Sequence, residues 1–175
     1  MVMFIHAMKR LLFPLLVLLL AGCASRPPLQ TVKAVDLPRY SGKWHEIARY
    51  PNWFQRNCTG QVTAEYVPRE DGSITVVNAC TREDGSLNQV KGRATVVPGS
   101  GNAKLKVSFG GPIAGDYWII GRDRAYQWAL VGHPSRRYLW ILARSPGLSE
   151  KLYAQIVQSA VDQGYDARRI VKTPQ

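Results

Sequence analysis

Histidine is scarce in this chain of 175 residues, which contains three, and only His45 and His133 lie beyond the first 22 positions. The sequence also lacks metal-ligand spacings, phosphate-binding loops and the Gly-x-Ser-x-Gly motif of serine hydrolases. An enzyme needs a nucleophile, a base and an orienting group in one cleft. We therefore predict a protein that is not an enzyme and that holds no metal or cofactor. A cysteine nucleophile at Cys58 or Cys80 is the enzymatic alternative.

Acidic side chains are also few, since 12 Asp and Glu stand against 23 Lys and Arg and give a formal net charge of +11. No basic helix or repeated aromatic platform accompanies this charge, so nucleic acid is not a predicted partner. Outside the cytoplasm, such a surface favours contact with anionic lipid head groups. The alternative is a charge that serves only to keep the surface soluble.

A hydrophobic run long enough to span a bilayer is missing too. The apolar stretch at 11–20 is about half the length of a spanning helix. It follows Lys9 and Arg10 and ends in Leu-Ala-Gly-Cys at positions 20–23. This arrangement is typical of a secretory signal peptide over residues 1–22. It resembles the lipobox of bacterial lipoproteins, in which the new N-terminal cysteine, here Cys23, carries acyl chains such as palmitate. The alternative is an ordinary signal peptide with an incidental cysteine.

Only two cysteines follow Cys23, and an oxidising compartment allows Cys58 and Cys80 to form a disulfide bond. A hairpin that turns at 68–72 would place these two residues opposite each other. Free thiols are the alternative, although no histidine lies near either cysteine in the sequence to activate it.

The rest of the chain divides into a tether and one domain. Residues 23–37 contain Pro27 and Pro28 and few aromatics, which predicts a lipidated N-terminus with a flexible tether. Residues 38–175 form the domain, in which short segments rich in β-branched and aromatic residues alternate with turn formers. Eight strands are predicted, at about 43–50, 58–67, 73–81, 86–97, 103–109, 115–121, 126–132 and 138–144.

Eight antiparallel strands joined by short hairpins favour an all-β, up-and-down barrel, because closure leaves no free edges. A two-sheet sandwich is the alternative. After the strands, apolar residues from Leu152 to Ala160 recur at helical spacing, with Ser149 as the N-cap and Gly164 at the C-terminal end. This predicts one C-terminal α-helix packed on the side of the barrel. A short edge strand is expected at 168–171.

Three separated motifs give the chain a resemblance to a known family. They are Gly42-Lys43-Trp44 on the first strand, Asp123-Arg124-Ala125-Tyr126 before the seventh strand, and the segment 138–146, which contains Arg144. Together they resemble the lipocalins, and specifically the bacterial outer-membrane lipocalins that are lipoproteins. The resemblance covers residues 36–172. It implies that Trp44 packs at the closed end of the barrel and that Arg144 lies across its ring, so that Gly42, Trp44 and Arg144 are structural.

The resemblance also implies a function and a location. Lipocalins of this kind bind small hydrophobic ligands, here fatty acids or lysophospholipids, in envelope maintenance and stress. Ala24 after the lipidated cysteine implies an anchor in the outer membrane, on its periplasmic face. Some relatives are homodimers. An interaction protein whose barrel is filled by its own side chains is the non-carrier alternative. The ligand-binding candidates are residues of the first loop and wall aromatics: Trp53, Phe54, Arg56, Tyr117, Trp128, Tyr138 and Trp140.

Overall fold

The domain is a closed antiparallel barrel, as the computed structural model shows for residues 26–175, the part of the chain that the structure describes. Eight consecutive strands pair with their neighbours, and β1 pairs with both β2 and β8 to close the cylinder. This confirms the predicted barrel over the sandwich. The strands are β1 (Gly42–Arg49), β2 (Gly60–Pro68), β3 (Ile74–Thr81), β4 (Leu87–Val96), β5 (Lys104–Ser108), β6 (Gly115–Arg122), β7 (Trp128–Gly132) and β8 (Leu139–Ala143).

The two ends of the barrel follow from this topology. The loops after β1, β3, β5 and β7 lie at one end, which we call the mouth. The loops after β2, β4 and β6 lie at the other, which we call the closed end. A short helix, α1 (Leu37–Tyr40), lies under the closed end, where Asp36 caps it by accepting from the Arg39 backbone N–H. The sequence did not predict α1.

One irregularity in β1 changes which side chains face inward. The pairing of β1 with β8 shifts between Glu46 and Ala48. Such a bulge adds one residue to a strand and breaks the strict alternation of faces. As a result Glu46 and Arg49 both face the barrel interior, opposite the inward-facing Leu142 and Trp140.

The C-terminal helix α2 (Glu150–Asp162) begins at Ser149, whose side chain accepts from the Leu152 backbone N–H. It buries Ile156 and Ala160 against the outer wall. Gly164, with φ +87°, follows its end. This is the predicted helix. The tail adds a short edge strand as expected, slightly later in the chain, since β9 (Val171–Lys172) pairs with the mouth-side half of β1.

The Cys58–Cys80 disulfide bond is present, with 5.6 Å between the two Cα atoms. The hairpin register from which this bond was predicted is wrong. A turn at 68–72 would pair Tyr66 with a residue at 72–74, whereas Tyr66 pairs with Val76. The chain reverses later than expected, where the Arg69 N–H donates to the Ser73 carbonyl. Cys58 therefore precedes β2, in the loop at the mouth.

The N-terminal segment of the described chain differs from the expected tether. Residues 26–36 run along the outside of the barrel, with Leu29 and Val35 buried. The Val32 N–H donates to the Ile119 carbonyl and the Val35 N–H to the Gly101 carbonyl. Apolar side chains at 29, 32 and 35 hold this segment in place, although Pro27 and Pro28 resemble a linker. The expected signal peptide and Cys23 lie outside the described residues.

Candidate ligand-binding site

The barrel interior is sealed at one end and open at the other. Inward-facing side chains near the closed end are fully buried, among them Trp44, Leu105 and Ile119. Toward the mouth, side chains on the same inner face keep accessible surface. Because these side chains face the barrel axis, we infer that this surface borders an internal space. We call that space the cup; it is lined by Ala64, Asn78, Val90, Val107, Tyr117 and Trp140.

Three tyrosines form the floor of the cup, and we call them the tyrosine bridge. The Tyr66 hydroxyl donates to the Tyr117 hydroxyl at 2.8 Å, and the Tyr40 and Tyr117 hydroxyls are 2.7 Å apart. Tyr66 lies on β2 and Tyr117 on β6, on opposite sides of the barrel, so the bridge spans the interior. Burial raises the pKa of all three phenols above the ordinary value. They are therefore neutral hydrogen-bonding groups at physiological pH.

Below the bridge, Trp44 and Arg144 close the barrel. The Arg144 guanidinium carbon lies 3.8 Å from the centroid of the Trp44 ring. The guanidinium also donates to the backbone carbonyls of Arg39, Ser41 and Lys43, at 2.7 to 2.8 Å. One side chain thus joins α1, the first strand and the end of β8. Its contacts are with the protein itself and lie outside the cup.

A polar network lies at the mouth side of the cup, under a 3-10 turn formed by Trp53–Gln55. The Glu46 carboxylate accepts from Arg49 at 2.8 Å, from the Thr173 hydroxyl at 2.6 Å and from the Gln55 amide at 2.7 Å. Gln55 in turn accepts from the Trp140 indole N–H. Sequence analysis missed this network, because strict alternation would place residues 46 and 49 on opposite faces. The bulge in β1 is what brings them together.

Two buried polar atoms at the cup lack a hydrogen-bond partner among the described residues: Arg49 Nε and Asn78 Oδ1. One is a donor and the other an acceptor. A buried polar atom without a partner costs about 1 to 3 kcal/mol, so each favours a ligand atom that completes it. The cup therefore combines an apolar wall with a few unsatisfied polar positions, which suits a molecule that is itself mostly apolar.

Most of the predicted aromatic residues meet at the mouth. Phe54 lies 5.7 Å from Tyr138 and 6.3 Å from Trp140, measured between ring centroids. Tyr138 and Trp140 are stacked at 6.0 Å. Trp53 is 73% exposed and packs its edge against Phe54. These rings form one apolar wall that continues from the cup to the rim.

Two other candidates have different positions. Arg56 is exposed in the loop between β1 and β2. Trp128 was wrongly predicted as a wall residue. It pairs with Ala143 on the outer face and packs in the apolar cluster beneath α2. Its neighbour Ala129 takes the inward position, opposite Leu142.

One group of side chains has the composition of a hydrolase triad. The Ser135 hydroxyl lies 2.8 Å from His133 Nδ1, and His133 Nε2 lies 4.0 Å from Asp116. Burial lowers the pKa of His133. However, 4.0 Å is too long for the hydrogen bond that would orient the histidine. Asp116 is instead paired with Lys106 at 2.7 Å, and the Ser135 N–H also donates to Nδ1, so the contact belongs to a local turn.

Other features of the described chain lie outside the cup. A groove of about 500 Å³ runs along the outer face of β1 to β4, where Lys43, Thr63 and Val77 line it. Residues 26–175 contain no cluster of three metal-ligating side chains. None of the helices in that range has the length and apolar character to cross a membrane.

Comparison with known proteins decides the family. The profile of the family described as Lipocalin-like domain matches residues 35–175. The chain belongs to the lipocalin family. Temperature-induced lipocalin-1 of Arabidopsis thaliana is 41% identical over 155 residues, covering 84% of this chain and 83% of that protein. Outer membrane lipoprotein Blc of Vibrio cholerae is 36% identical over 171 residues, covering 96% of this lipocalin and 99% of its relative.

A solved structure supports the lipocalin fold independently. Insecticyanin from the tobacco hornworm Manduca sexta superimposes with a TM-score of 0.68 and covers 86% of each chain. The sequence identity is 20%. At this identity the likeness concerns the fold alone.

Proposed function

We propose that this lipocalin is a non-catalytic carrier of small amphiphiles, namely fatty acids or lysophospholipids, held on a membrane through acylated Cys23. The observation that supports it is the cup: an internal space with an apolar wall, a tyrosine floor and unsatisfied polar atoms beside a charged network at its mouth side. Burying each methylene of an acyl chain against such a wall contributes about 0.8 kcal/mol.

The polar positions favour an amphiphile over a plain hydrocarbon. Arg49 offers its free Nε–H to a carboxylate or phosphate oxygen, while Glu46 on the same guanidinium balances its charge. A zwitterionic head group, or a fatty acid whose carboxyl group is protonated, would complete the hydrogen bonding without adding an unpaired charge to the neutral Arg49–Glu46 pair. The acyl chain would then extend toward the tyrosine bridge.

The proposed location is the periplasmic face of the outer membrane, in envelope maintenance and stress. The name of the Vibrio cholerae relative, outer membrane lipoprotein, supports this proposal. So does the sequence around Cys23, in which Ala24 stands where aspartate would retain a lipoprotein in the inner membrane. Homodimer formation, which the resemblance to bacterial lipocalins implies, belongs to the same proposal.

The test is to identify and rebind the ligand. Lipid extracted from residues 26–175, purified from the periplasm, is analysed by mass spectrometry, and the delipidated protein is titrated calorimetrically with oleate and with lysophosphatidylethanolamine. Trp140→Ala removes an inward-facing ring at the mouth and should weaken binding by about tenfold, equivalent to about 1.4 kcal/mol. Trp118→Ala is the matched control, because Trp118 faces outward beside Lys104 and should bind as the native protein does.

The proposal fails if no lipid co-purifies and neither probe binds. The non-carrier alternative would then gain support from the filled lower half of the barrel. Equal losses in Trp140→Ala and Trp118→Ala would show that binding occurs outside the cup.

A further inference from the structure

The N-terminal segment of the described chain starts at the mouth. The Arg136 guanidinium, in the mouth loop between β7 and β8, donates to the Pro27 carbonyl. Leu29 packs against Gly132, since a Cβ atom added to Gly132 would lie 3.3 Å from the Cδ2 atom of Leu29. Val35 lies at the other end, beside Gly101 in a closed-end loop. The chain therefore descends along the barrel from mouth to closed end between residues 27 and 35.

This path limits where the anchor can lie. Only two residues separate Cys23 from Arg26. Three Cα–Cα steps of 3.8 Å allow a reach of at most about 11 Å from Arg26. The closed end lies roughly 20 Å further along the barrel, since eight-residue strands rise about 3.3 Å per residue and tilt by about 40°. An acylated Cys23 can consequently reach the mouth and cannot reach the closed end.

Exposed apolar side chains are concentrated at the same end. Nine large apolar side chains of the described chain are exposed. Five belong to the mouth loops or their borders, whereas Val67 alone lies near the closed end. The five are Trp53 (73% exposed), Phe54 (48%), Leu87 (69%), Phe109 (42%) and Ile113 (82%). A cluster of exposed apolar groups on one side of a protein marks an interaction surface.

The mouth loops are also more basic than the hairpin loops of the closed end. The four mouth loops carry four arginines against Glu83 and Asp84, and Arg26 lies next to them. The three closed-end hairpin loops carry two arginines against three acidic residues. Basic residues near an anionic bilayer are attracted to its surface. Apolar and basic groups together favour contact with the interface of an anionic membrane.

We propose that the mouth of the barrel faces and touches the membrane that holds the anchor, so that ligand passes between bilayer and cup without crossing bulk water. The docked segment 26–36 fixes this orientation, because it leaves only a short connection to Cys23. A flexible connection through residue 37 would permit either end to face the membrane. The inference rests on the acylation of Cys23 proposed above.

Tryptophan quenching measures this orientation directly. The lipidated protein is reconstituted into vesicles of phosphatidylethanolamine and phosphatidylglycerol with dibrominated acyl chains, which quench only nearby indoles. Trp53 emission is obtained as the difference between the native protein and Trp53→Phe. The matched closed-end reporter is Glu70→Trp in the Trp53→Phe background. We expect more than half of the Trp53 emission to be lost and that of the closed-end reporter to be unchanged.

A Gly-Ser linker inserted between Ser25 and Arg26 tests the role of the short connection. It should make the quenching of Trp53 fall toward that of the closed-end reporter. Equal quenching of both reporters in the protein without the linker would overturn the inference. Strong quenching of Trp53 that survives the insertion would overturn the role assigned to segment 26–36.

A second preparation separates this inference from the proposed acylation. Residues 23–175 are coupled through the Cys23 thiol to a maleimide-bearing lipid in the same vesicles. If the native protein carries no acyl group but the coupled protein shows selective quenching of Trp53, the anchoring proposal fails and the geometric inference stands. If the native protein is acylated and neither preparation shows selective quenching, the inference alone fails.

Discussion

The closed end and the mouth of this barrel are built from similar side chains that are used differently. Both contain tryptophan, tyrosine and arginine. At the closed end, Arg144 is saturated by Trp44 and by backbone carbonyls. At the mouth, Arg49 retains an unpartnered Nε and Trp53 is mostly exposed. The paired donors of Arg144 stabilise the fold, whereas Arg49 Nε is available to a ligand and Trp53 to a surface.

The comparison indicates a division of roles along one axis of the molecule. The tyrosine bridge marks the boundary, because side chains below it are buried and those above it border the cup. Substitutions below the boundary should change stability and leave ligand binding unaltered. Substitutions above the boundary should weaken ligand binding and leave stability nearly unchanged.

Arg144→Ala should have the largest effect on stability. It removes a cation–π contact and leaves the carbonyls of Arg39, Ser41 and Lys43 without their donor. We expect the free energy of unfolding to fall by about 4 kcal/mol. Urea denaturation measures this loss, and calorimetric titration of the folded protein should give unchanged ligand affinity. Arg124→Ala, an exposed change at the same end, is the control. Altered ligand preference with unaltered stability would reverse the assignment.

Tyr66→Phe tests the boundary itself and should have an intermediate effect. Loss of its hydrogen bond to Tyr117 should cost about 1 kcal/mol near pH 7. The pH dependence is more specific. Because burial raises the pKa of Tyr66, the unfolded chain loses this proton first, and stability should decline as the pH rises above about 10.

Without this phenol, the free energy of unfolding should fall less steeply at alkaline pH, by at most about 1.4 kcal/mol per pH unit. Denaturation curves at several alkaline pH values measure the slope. Tyr138→Phe, which removes a phenol at the mouth and outside the bridge, is the matched control. An unchanged slope in Tyr66→Phe would contradict a buried, neutral phenol at the boundary.

Phe54→Ala should have the smallest effect on stability, less than about 0.5 kcal/mol, because the ring is half exposed. Ligand affinity should nevertheless drop by several fold, since Phe54 connects the rim to Tyr138 and Trp140. Thermal denaturation and titration with oleate measure the two quantities on one preparation. A loss of stability comparable to that of Arg144→Ala would remove the distinction between the two ends.

The sequence was sufficient for the barrel and the helix. Alternation of apolar and polar residues gave each strand to within about two positions, because turn formers such as Asp71-Gly72 separate them. The cap at Ser149 located α2. Turn residues and helix caps act on their immediate neighbours in the chain, so these elements could be predicted without knowledge of the folded structure.

What the sequence did not reveal depends on long-range contacts. The β1 bulge leaves no mark on the hydrophobic pattern, so the pairing of Glu46 with Arg49 inside the barrel was unexpected. The inward or outward direction of Trp128 required the register with β8. The packing of segment 26–36 requires the groove beside Gly132, which exists only after the barrel has formed.

The small strand β9 has a consequence for how the chain matures. It pairs with β1, and Thr173 reaches Glu46 across 127 positions of sequence. Neither the mouth-side wall nor the polar network is complete until residues near the C-terminus arrive. Contacts of this range form slowly. The polar network at the mouth can therefore form only once the last residues of the chain have folded back onto β1.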